Sequence, residues 1–369
     1  MKNNTGDNDG AGRIAVMGAG SWGTALALVL ARKGYRVELW SHTPERVAEM
    51  LDSRQNRRYL PDFTLPDNIR PGSDPALVSG CAAVVMVVPS HGYRDVFRQI
   101  IPHLAPGTPI ISAAKGIEND TLLTMTQVMA QELLRAAGAS AAGGPEALGP
   151  SELAAVSHPL GVLAGPSFAR EVAEGLPTAV TVAAARAEDA RYFQDLFFTE
   201  RFRVYAGTDL LGQELGGALK NIIAIAAGIS DGLGYGTNSR AALITRGLAE
   251  ITRLGVKMGA LPLTFSGLAG LGDLVLTCTG DLSRNRGVGL KLGRGMKLAE
   301  ILAEMQMVAE GIKTTASAWA LAQKLGVEMP ILEQVYLVIH QDKPCREAVG
   351  DLLARQGRDE LEYRPGQGG

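Results

Sequence analysis

Residues 13–32 read Arg-Ile-Ala-Val-Met-Gly-Ala-Gly-Ser-Trp-Gly-Thr-Ala-Leu-Ala-Leu-Val-Leu-Ala-Arg. The first five residues predict a short apolar strand, and the residues from Thr24 onward predict a buried helix that is closed by Gly34. A second strand is predicted over 36–40. The glycine-rich turn between these elements has a specific meaning, because G-x-G-x-x-G in a strand–turn–helix–strand unit is the fingerprint of dinucleotide binding.

The residues of this turn have separate roles in that fingerprint. Gly18 permits the tight turn, Gly20 has no side chain to keep a pyrophosphate off the backbone, and Gly23 lets the helix pack on the strand. Ser21 and Trp22 lie in the same turn, against the cofactor. The helix N-terminus offers free N–H groups to the phosphates. With 45 glycines in 369 residues the string alone could arise by chance, so the flanking elements carry the interpretation.

Length and composition are those of a soluble chain with about two domains. The net charge of −2 and the hydrophobic content of 46% favour neither nucleic acid nor a membrane surface as a partner. No apolar run approaches the roughly 18 residues of a membrane span. Residues 1–12 lack the apolar region of a signal peptide and are expected to be a disordered tail. Cys81, Cys278 and Cys345 are widely spaced, which favours a reducing cytoplasm and no metal site.

The apolar pattern divides the chain into two parts. Up to residue 207, continuous apolar strands alternate with helices, which predicts a Rossmann-type, doubly wound parallel sheet covered on both faces. Within this part, 136–159 is rich in Ala, Gly, Ser and Pro and is predicted to be an exposed loop. An all-α domain is expected over 208–354 and a flexible tail over 355–369. The strands after the second are predicted at 82–88, 109–114, 162–167 and 178–183, and the helices of the second part at 213–228, 239–255, 262–268, 298–305, 314–325 and 330–338.

Residues that directly follow the strands are the first candidates for a site, because ligands bind at the carboxyl ends of parallel strands. Ser41 and His42 follow the second strand, where an NAD-selective enzyme has an acidic residue for the ribose 2′-hydroxyl. A neutral Ser41, with His42 and Arg46 close by, tolerates a 2′-phosphate and favours NADPH or the use of both cofactors. The alternative is that Glu38 binds the ribose under a shifted register.

Two further strand ends carry polar residues. Lys115 directly follows an apolar strand and is either a solvated loop residue or an anchor for an anion. Gly165-Pro166-Ser167 is either a turn in which Ser167 caps a helix over 168–174 or a set of N–H groups that binds an anion.

The second part contains a lysine in an apolar helix. Lys220 is the only charged residue between Glu214 and Asp231. Burial of a lysine is unfavourable unless it is paired, and it lowers the pKa toward the range useful for proton transfer. Asp273, in a glycine-rich apolar segment, is a candidate to pair with Lys220 or to cap a helix. The alternative for Lys220 is a side chain that extends to solvent from one face.

Residues 283–286 combine a hydroxyl, an amide and two guanidinium groups. Arginine binds phosphate in a bidentate manner, so Ser283, Arg284, Asn285 and Arg286 predict either a phosphate site or an exposed polar loop.

Taken together, these segments resemble the bacterial-type NAD(P)+-dependent glycerol-3-phosphate dehydrogenases. The resemblance runs from Ile14 to about Leu353 and omits the two tails and 136–159. Its motifs are Gly18-Ala19-Gly20-Ser21-Trp22-Gly23-Thr24-Ala25, Val87-Val88-Pro89-Ser90, Ala114-Lys115-Gly116, Leu163-Ala164-Gly165-Pro166-Ser167-Phe168-Ala169, Leu219-Lys220-Asn221, Ala269-Gly270-Leu271-Gly272-Asp273-Leu274 and Ser283-Arg284-Asn285.

The resemblance implies reversible reduction of dihydroxyacetone phosphate to sn-glycerol 3-phosphate, the backbone of phospholipids, by NADPH or NADH. It also implies a helical domain like that of 6-phosphogluconate dehydrogenase. Because part of the site comes from each domain, closure of the two domains on binding is expected, and the helical part is expected to form a homodimer. Lys220 is then the catalytic acid/base, held by Asp273 and by Asn221, the residue that follows Lys220, and Arg284 and Asn285 bind the phosphate of the substrate. The implied substrate site comprises Lys115, Gly165, Ser167, Lys220, Asp273, Ser283, Arg284 and Asn285. The implied cofactor contacts are Ser21, Trp22, His42, Lys115, Ala169, Arg284, Val308 and Glu310.

Two other functions fit parts of the pattern. A dehydrogenase of the same plan that acts on a 2-keto or 3-hydroxy acid needs a carboxylate clamp in place of the loop at 283–285. A nucleotide sensor without catalysis is expected to lack Lys220 or Asp273, and both are present.

Overall fold

The computed structural model describes residues 12–139, 148–305 and 309–356. Most of both predicted tails, residues 140–147 of the predicted loop, and Val308 lie outside these ranges. The strands are β1 (Arg13–Met17), β2 (Arg36–Trp40), β3 (Gln55–Asn56), β4 (Leu60–Thr64), β5 (Ile69–Gly72), β6 (Ala83–Met86), β7 (Ile110–Ser112), β8 (Leu160–Ala164), β9 (Thr178–Ala184) and β10 (Phe202–Gly207).

The helices of the first part lie between these strands, and those of the second part follow β10. They are α1 (Ser21–Arg32), α2 (Pro44–Ser53), α3 (Tyr93–Ile100), α4 (Met125–Ala136), α5 (Pro150–Ala155), α6 (Ala169–Glu174), α7 (Ala187–Phe197), α8 (Leu210–Gly232), α9 (Thr237–Lys257), α10 (Pro262–Phe265), α11 (Asp273–Thr279), α12 (Arg284–Gly293), α13 (Leu298–Glu304), α14 (Glu310–Leu325), α15 (Pro330–His340) and α16 (Cys345–Leu353).

Eight strands form one sheet in the order β10-β9-β8-β7-β6-β1-β2-β5, and β3 and β4 form a separate hairpin. The chain proceeds outward from β1 to β2 and β5 on one side, and from β6 to β7 and β8 on the other. The order therefore reverses between β1 and β6. In a doubly wound sheet this switch point is where a crevice opens for a ligand.

One strand pair departs from the predicted parallel sheet. β8 and β9 are antiparallel, with Gly161 opposite Ala184. The helix between them, α6, has only six residues against twelve in α1, and the chain then turns at Gly175, which has a φ of +77°. A parallel pair needs a crossover long enough to return along the whole sheet, whereas this short connection reverses the chain.

Neither edge strand is among the predicted strands. β5 contains Pro71, and β10 exposes Arg203 and Tyr205. Proline and charged residues are tolerated at the edge of a sheet, and they break the continuous apolar pattern by which central strands are recognised.

The expectation of an exposed loop over 136–159 is wrong for residues 148–159. This segment contains the helix α5, and Leu148 and Leu153 are buried against the sheet. His158 is also buried, and its Nδ1 lies 2.9 Å from the carbonyl oxygen of Thr108. Two leucines and one histidine of this segment are therefore buried, although its composition indicates an exposed loop.

The helical part is built around α8, whose residues are almost all buried. α12 packs against it in parallel. Gly228 and Gly232 of α8 face Gly289 and Gly293 of α12, and a Cβ at any of the four would overlap backbone of the other helix. This close approach places the N-terminus of α12 beside the middle of α8.

Some helix limits also differ from the predicted ones. The helix predicted over 262–268 divides into α10 and a π-helical turn over Leu268–Gly272. α6 begins at Ala169 with Phe168 as its N-cap, so Ser167 is not the cap; its Oγ donates to the carbonyl oxygen of Gly165 at 3.0 Å.

In the described part of the chain no single helix is long and apolar enough to cross a membrane. The bent pair Pro262–Thr279 and Arg284–Gly293 meets the length and composition criteria only when taken together.

Candidate active site

A cleft of about 630 Å³ opens at the switch point of the sheet. The turn after β1 and the ends of β2, β6 and β7 line one side, and α8, α11, α12 and α14 line the other. The cleft therefore lies between the sheet and the helical part, so a ligand inside it contacts both.

The glycine turn leaves its backbone accessible to this cleft. Gly18 has a φ of +129°, and a Cβ on Gly23 would overlap the carbonyl oxygen of Gly18, so both positions need glycine. A Cβ on Gly20 would meet no atom within 4 Å. The open space at Gly20 lies at the N-terminus of α1, which begins at Ser21, and a helix N-terminus favours an anion.

Two side chains of the turn have distinct surroundings. The Oγ of Ser21 donates to the carbonyl oxygen of Tyr59 at 2.6 Å, which ties the β3–β4 hairpin to the turn. The indole N–H of Trp22 is buried and has no hydrogen-bond partner among the described residues. A buried donor without a partner beside a phosphate cradle fits a site that a dinucleotide completes.

The part of the cleft beside the end of β2 is lined by neutral or basic side chains. Ser41, His42 and Arg46 line it. Glu38 does not line the cleft; its carboxylate lies 3.8 Å from the guanidinium group of Arg13, at the start of β1. The alternative in which Glu38 binds the ribose is therefore wrong: the register of β2 is not shifted, and Glu38 lies two residues before the carboxyl end of the strand, where the cleft opens.

Three charged groups meet on the helical side of the cleft. Lys220, 5% exposed on α8, donates to Oδ1 of Asp273 and to Oγ1 of Thr277 at 2.8 Å. Lys115 donates to Oδ2 of the same carboxylate at 2.8 Å and to the carbonyl oxygen of Gly165 at 3.2 Å. One buried carboxylate thus holds two lysines, which come from the sheet and from α8.

The pKa of Lys220 is lowered from 10.5 to about 7, chiefly by burial; Lys115 also lowers it, while Asp273 opposes both. An ammonium group with such a pKa exchanges its proton readily near neutral pH. Lys220 lines the cleft, whereas Asp273 is fully buried behind the two lysines. The arrangement has a proton donor at the cleft wall and an anion that orients it.

The model of the NAD-dependent glycerol-3-phosphate dehydrogenase N-terminus matches residues 13–147 and 150–190, and the model of the C-terminus matches residues 209–350. The chain belongs to this family.

Relatives of known name agree with this assignment. The chain is 56% identical over 350 residues to the glycerol-3-phosphate dehydrogenase (NAD(P)+) of Desulfotalea psychrophila, across 94% of this chain and 98% of the relative. The enzyme of that name from Geobacter sp. is also 56% identical, over 93% and 97% of the two chains. The crystal structure of glycerol-3-phosphate dehydrogenase from Coxiella burnetii has a TM-score of 0.84 at 42% identity and covers 94% of this chain. The predicted family and the predicted Rossmann-type plus helical fold are confirmed.

Most of the residues predicted from the glycerol-3-phosphate dehydrogenase resemblance line the cleft. Asp273 and Gly165 lie just behind it, bonded to Lys115. Val308 is outside the described residues. Those at the cleft surface are Gly18, Gly20, Ser21, Trp22, Gly23, His42, Lys115, Ser167, Ala169, Lys220, Ser283, Arg284, Asn285 and Glu310.

The structure distinguishes between the two arginines of the 283–286 segment. Ser283 is the N-cap of α12, and its Oγ accepts from the backbone N–H of Arg286 at 3.2 Å. Arg286 is paired with Asp231 at 2.8 Å and Asp281 at 3.0 Å. Arg284 alone of the two lines the cleft, on the first turn of α12, where the helix dipole also favours an anion.

Asn285 and Asn221 form an internal link. The Nδ2 of Asn285 donates to Oδ1 of Asn221 at 2.9 Å, and its Oδ1 accepts from the backbone N–H of Gly311 at 3.1 Å. Asn285 thereby fastens α12 to α8 and α14. The expected contact of Asn221 with Lys220 is absent from the hydrogen bonds of the described residues, because Asn221 is turned toward Asn285 instead.

Thr277 is a site residue that the sequence analysis does not identify. It lies four residues after Asp273, on the same face of α11, and its Oγ1 donates to the carbonyl oxygen of Asp273 at 2.6 Å. The spacing of Asp273 and Thr277 is the signal that points to it, since residues i and i+4 are neighbours on a helix.

Glu310, the first residue of α14, also lines the cleft. Burial raises the pKa of its carboxyl to about 7, against the opposing effects of Arg284, Lys115, Lys220 and a hydrogen bond from the backbone N–H of Ser90. Within the described ranges, no group of three or more His, Cys, Asp or Glu side chains could hold a metal ion.

Proposed function

We propose that this chain catalyses the reversible reduction of dihydroxyacetone phosphate to sn-glycerol 3-phosphate, with Lys220 as the acid/base. The observation that carries the proposal is the pairing of Lys220 and Lys115 on Asp273 at the wall of the dinucleotide cleft. A bound nicotinamide supplies the hydride for the carbonyl carbon. The chain itself provides the proton, the orientation of the substrate and the exclusion of water.

Lys220 donates a proton to the carbonyl oxygen as negative charge develops there. General-acid help of this kind accelerates a reaction by about 10²–10⁴. Asp273 keeps the ammonium group in place through Oδ1, and Thr277 holds it from the next turn. Lys115, on the same carboxylate, adds a second positive charge near the oxygen.

Arg284 binds the substrate phosphate in this proposal. It lies on the first turn of α12, where the guanidinium group and the helix N-terminus both favour an anion. Asn285 supports that position by its bonds to Asn221 and Gly311. The phosphate grip comes from α12 while the cofactor cradle comes from the sheet, so we also propose that the two parts close on the substrate.

The direct test is the loss of NADPH and NADH absorbance when dihydroxyacetone phosphate is added to the purified chain. Rapid oxidation supports the proposal. No oxidation with dihydroxyacetone phosphate, together with oxidation on adding a 2-keto or 3-oxo acid, favours the alternative dehydrogenase.

Replacement of Arg284 separates these two substrate classes. Arg284→Ala is expected to raise the KM for dihydroxyacetone phosphate by about 10- to 100-fold, because a charge-assisted hydrogen bond is worth roughly 1.5–3 kcal/mol. Arg294→Ala, at the exposed far end of the same helix, is the matched control and should leave the KM unchanged. Steady-state kinetics at fixed NADPH measure both. An unchanged KM in Arg284→Ala contradicts the phosphate grip.

We further propose a preference for NADPH. Arg46 donates to the hydroxyl of Tyr59 at 2.6 Å and lies 5.1 Å over its ring, while Arg58 lies 5.6 Å over the same ring. No carboxylate pairs with Arg46 among the salt bridges of the described residues. Of these two arginines Arg46 lines the cleft together with Ser41 and His42, and a guanidinium group there suits the dianionic 2′-phosphate of NADPH.

Arg46→Gln is expected to weaken the binding of NADPH by about tenfold or more, because it removes a charge-assisted contact. The KM for NADH should be unchanged. The matched control is Arg57→Gln, an exposed arginine outside the cleft lining. Calorimetric binding of 2′,5′-ADP and 5′-ADP gives a readout independent of turnover. An equal loss of affinity for both nucleotides in Arg46→Gln counts against the proposal.

The domain limits 13–207 and 208–354, the homodimer and the cytoplasmic location are also proposed. The location rests on the cysteines, since the thiols of Cys81, Cys278 and Cys345 are all free.

A further inference from the structure

Gly216 lies one turn before Lys220 on α8, so the two residues share a face of the helix. That face packs on the π turn Leu268–Gly272 and on the start of α11. We propose that Gly216 is a positioning residue for the reaction: its lack of a side chain lets the π turn dock on α8 so that Asp273 reaches Lys220. This inference rests on the proposed roles of Lys220 and Asp273.

The contact at Gly216 is with backbone. A Cβ on Gly216 would lie 2.6 Å from the carbonyl oxygen of Ala269 and 3.2 Å from its carbonyl carbon. No rotamer change can relieve such a clash, so either α8 or the π turn has to move. Ala269 is 2% exposed and Gly270 packs directly on backbone atoms of Phe265, which leaves the turn little room elsewhere.

The π turn connects this contact to Asp273. The N–H of Gly272 donates to the carbonyl oxygen of Gly267 at 3.1 Å, so the turn carries one residue more than an α-helical turn. Asp273 follows at once as the first residue of α11. Ala269 and Asp273 are four residues apart, as are Gly216 and Lys220. A shift at the contact between Gly216 and Ala269 is therefore transmitted, over a single turn of each segment, to the ion pair between Lys220 and Asp273.

The adjacent glycine offers a matched control. A Cβ on Gly217 would meet only side-chain atoms of Lys115, at 3.7 and 3.9 Å, which is ordinary van der Waals contact. Gly216→Ala and Gly217→Ala make the same chemical change in the same buried helix. Only the former displaces the backbone that carries Asp273.

Displacement of Asp273 has an electrostatic consequence for Lys220. The charged groups that act on Lys220 are Asp273 from α11 and Lys115 from the loop after β7, and Glu310 faces it from α14. Asp273 raises the pKa of Lys220, whereas burial and Lys115 lower it. If Asp273 moves away, the pKa of Lys220 falls below its value of about 7, and the group loses its proton at a lower pH.

The experiment measures the reduction of dihydroxyacetone phosphate against pH for the wild type and both variants. We expect Gly216→Ala to lower kcat by about 10- to 100-fold, the range for small displacements of catalytic groups, and to move the pH midpoint of kcat downward. The KM for NADPH should stay within about twofold, because the phosphate cradle is remote from the change. Gly217→Ala should match the wild type.

A wild-type kcat and pH midpoint in Gly216→Ala overturn the inference, as does a lower kcat with an unmoved midpoint, which indicates general destabilisation. If Gly216→Ala does not fold, deletion of Leu271 is the second variant, because its side chain is 39% exposed and its removal converts the π turn to α-helical spacing. The same downward shift is expected there, and its absence overturns the inference. Failure of the proposed function is distinct, since the wild type is then inactive.

Discussion

Lys220→Met lowers kcat for the reduction of dihydroxyacetone phosphate by about 10²–10⁴ if Lys220 is the proton donor. Methionine retains the length and apolar stem of lysine, so the buried helix α8 keeps its packing. The KM for NADPH is expected to change little, because the cradle at Gly18 and Gly20 is untouched. Stopped-flow or steady-state absorbance measures the loss.

The control for this variant is Lys257→Met, at the exposed end of α9. It removes one positive charge from the same part of the molecule and should leave kcat unchanged. A Lys220→Met protein that folds and turns over at near the wild-type rate contradicts the assignment.

The pH dependence follows from the lowered pKa of Lys220. Reduction needs the ammonium form, so its rate should fall as the pH rises through about 7. Oxidation of sn-glycerol 3-phosphate needs the neutral amine, so its rate should rise over the same interval. Both pH dependences should be absent in Lys220→Met. Because the pKa of Glu310 is also about 7, Glu310→Gln should be measured in parallel. If the two pH dependences persist in Glu310→Gln, they are assigned to Lys220.

Asp273→Asn is the second change with a large expected effect, because it removes the one carboxylate shared by two lysines. Breaking a buried ion pair by removing one partner destabilises a protein by about 3–5 kcal/mol. We expect a loss of that size in the free energy of unfolding, together with a fall in kcat. Denaturant unfolding measures the first and absorbance of NADPH the second. Asp281→Asn, whose side chain is 98% exposed, is the control and should change neither quantity.

The sign of the pH effect on this variant can be stated. The pKa of Lys220 in the folded wild type, about 7, is already below the 10.5 of the free side chain, and loss of Asp273 lowers it further. Above about pH 7 Lys220 is neutral in both proteins, so it adds nothing to their difference there. Its share of the destabilisation appears as the pH falls below about 7. Equal unfolding free energies for wild type and Asp273→Asn at pH 6 would contradict the pairing.

Local features of the sequence were sufficient for the dinucleotide unit. Gly18, Gly20 and Gly23 follow a strand and open a helix within one short segment, so their roles depend on neighbours along the chain. Lys220 was also recognisable, because a lone charge in an apolar helix indicates a buried functional group whatever surrounds it. For the same reason the apolar central strands were predicted, while the edge strands β5 and β10, whose pattern is not continuous, were not.

Contacts between distant segments were decided by the tertiary structure alone. Lys115 and Asp273 are 158 residues apart, and only the docking of the sheet on the helical part brings them together. Asp231 forms an ion pair with Arg286, and Arg284 is therefore the arginine that faces the cleft. Local sequence determines those elements that are stabilised by contacts between residues close in the chain. The carboxylate shared by two lysines, the reversed strand β9 and the π turn before Asp273 depend instead on which distant backbone segments can approach each other.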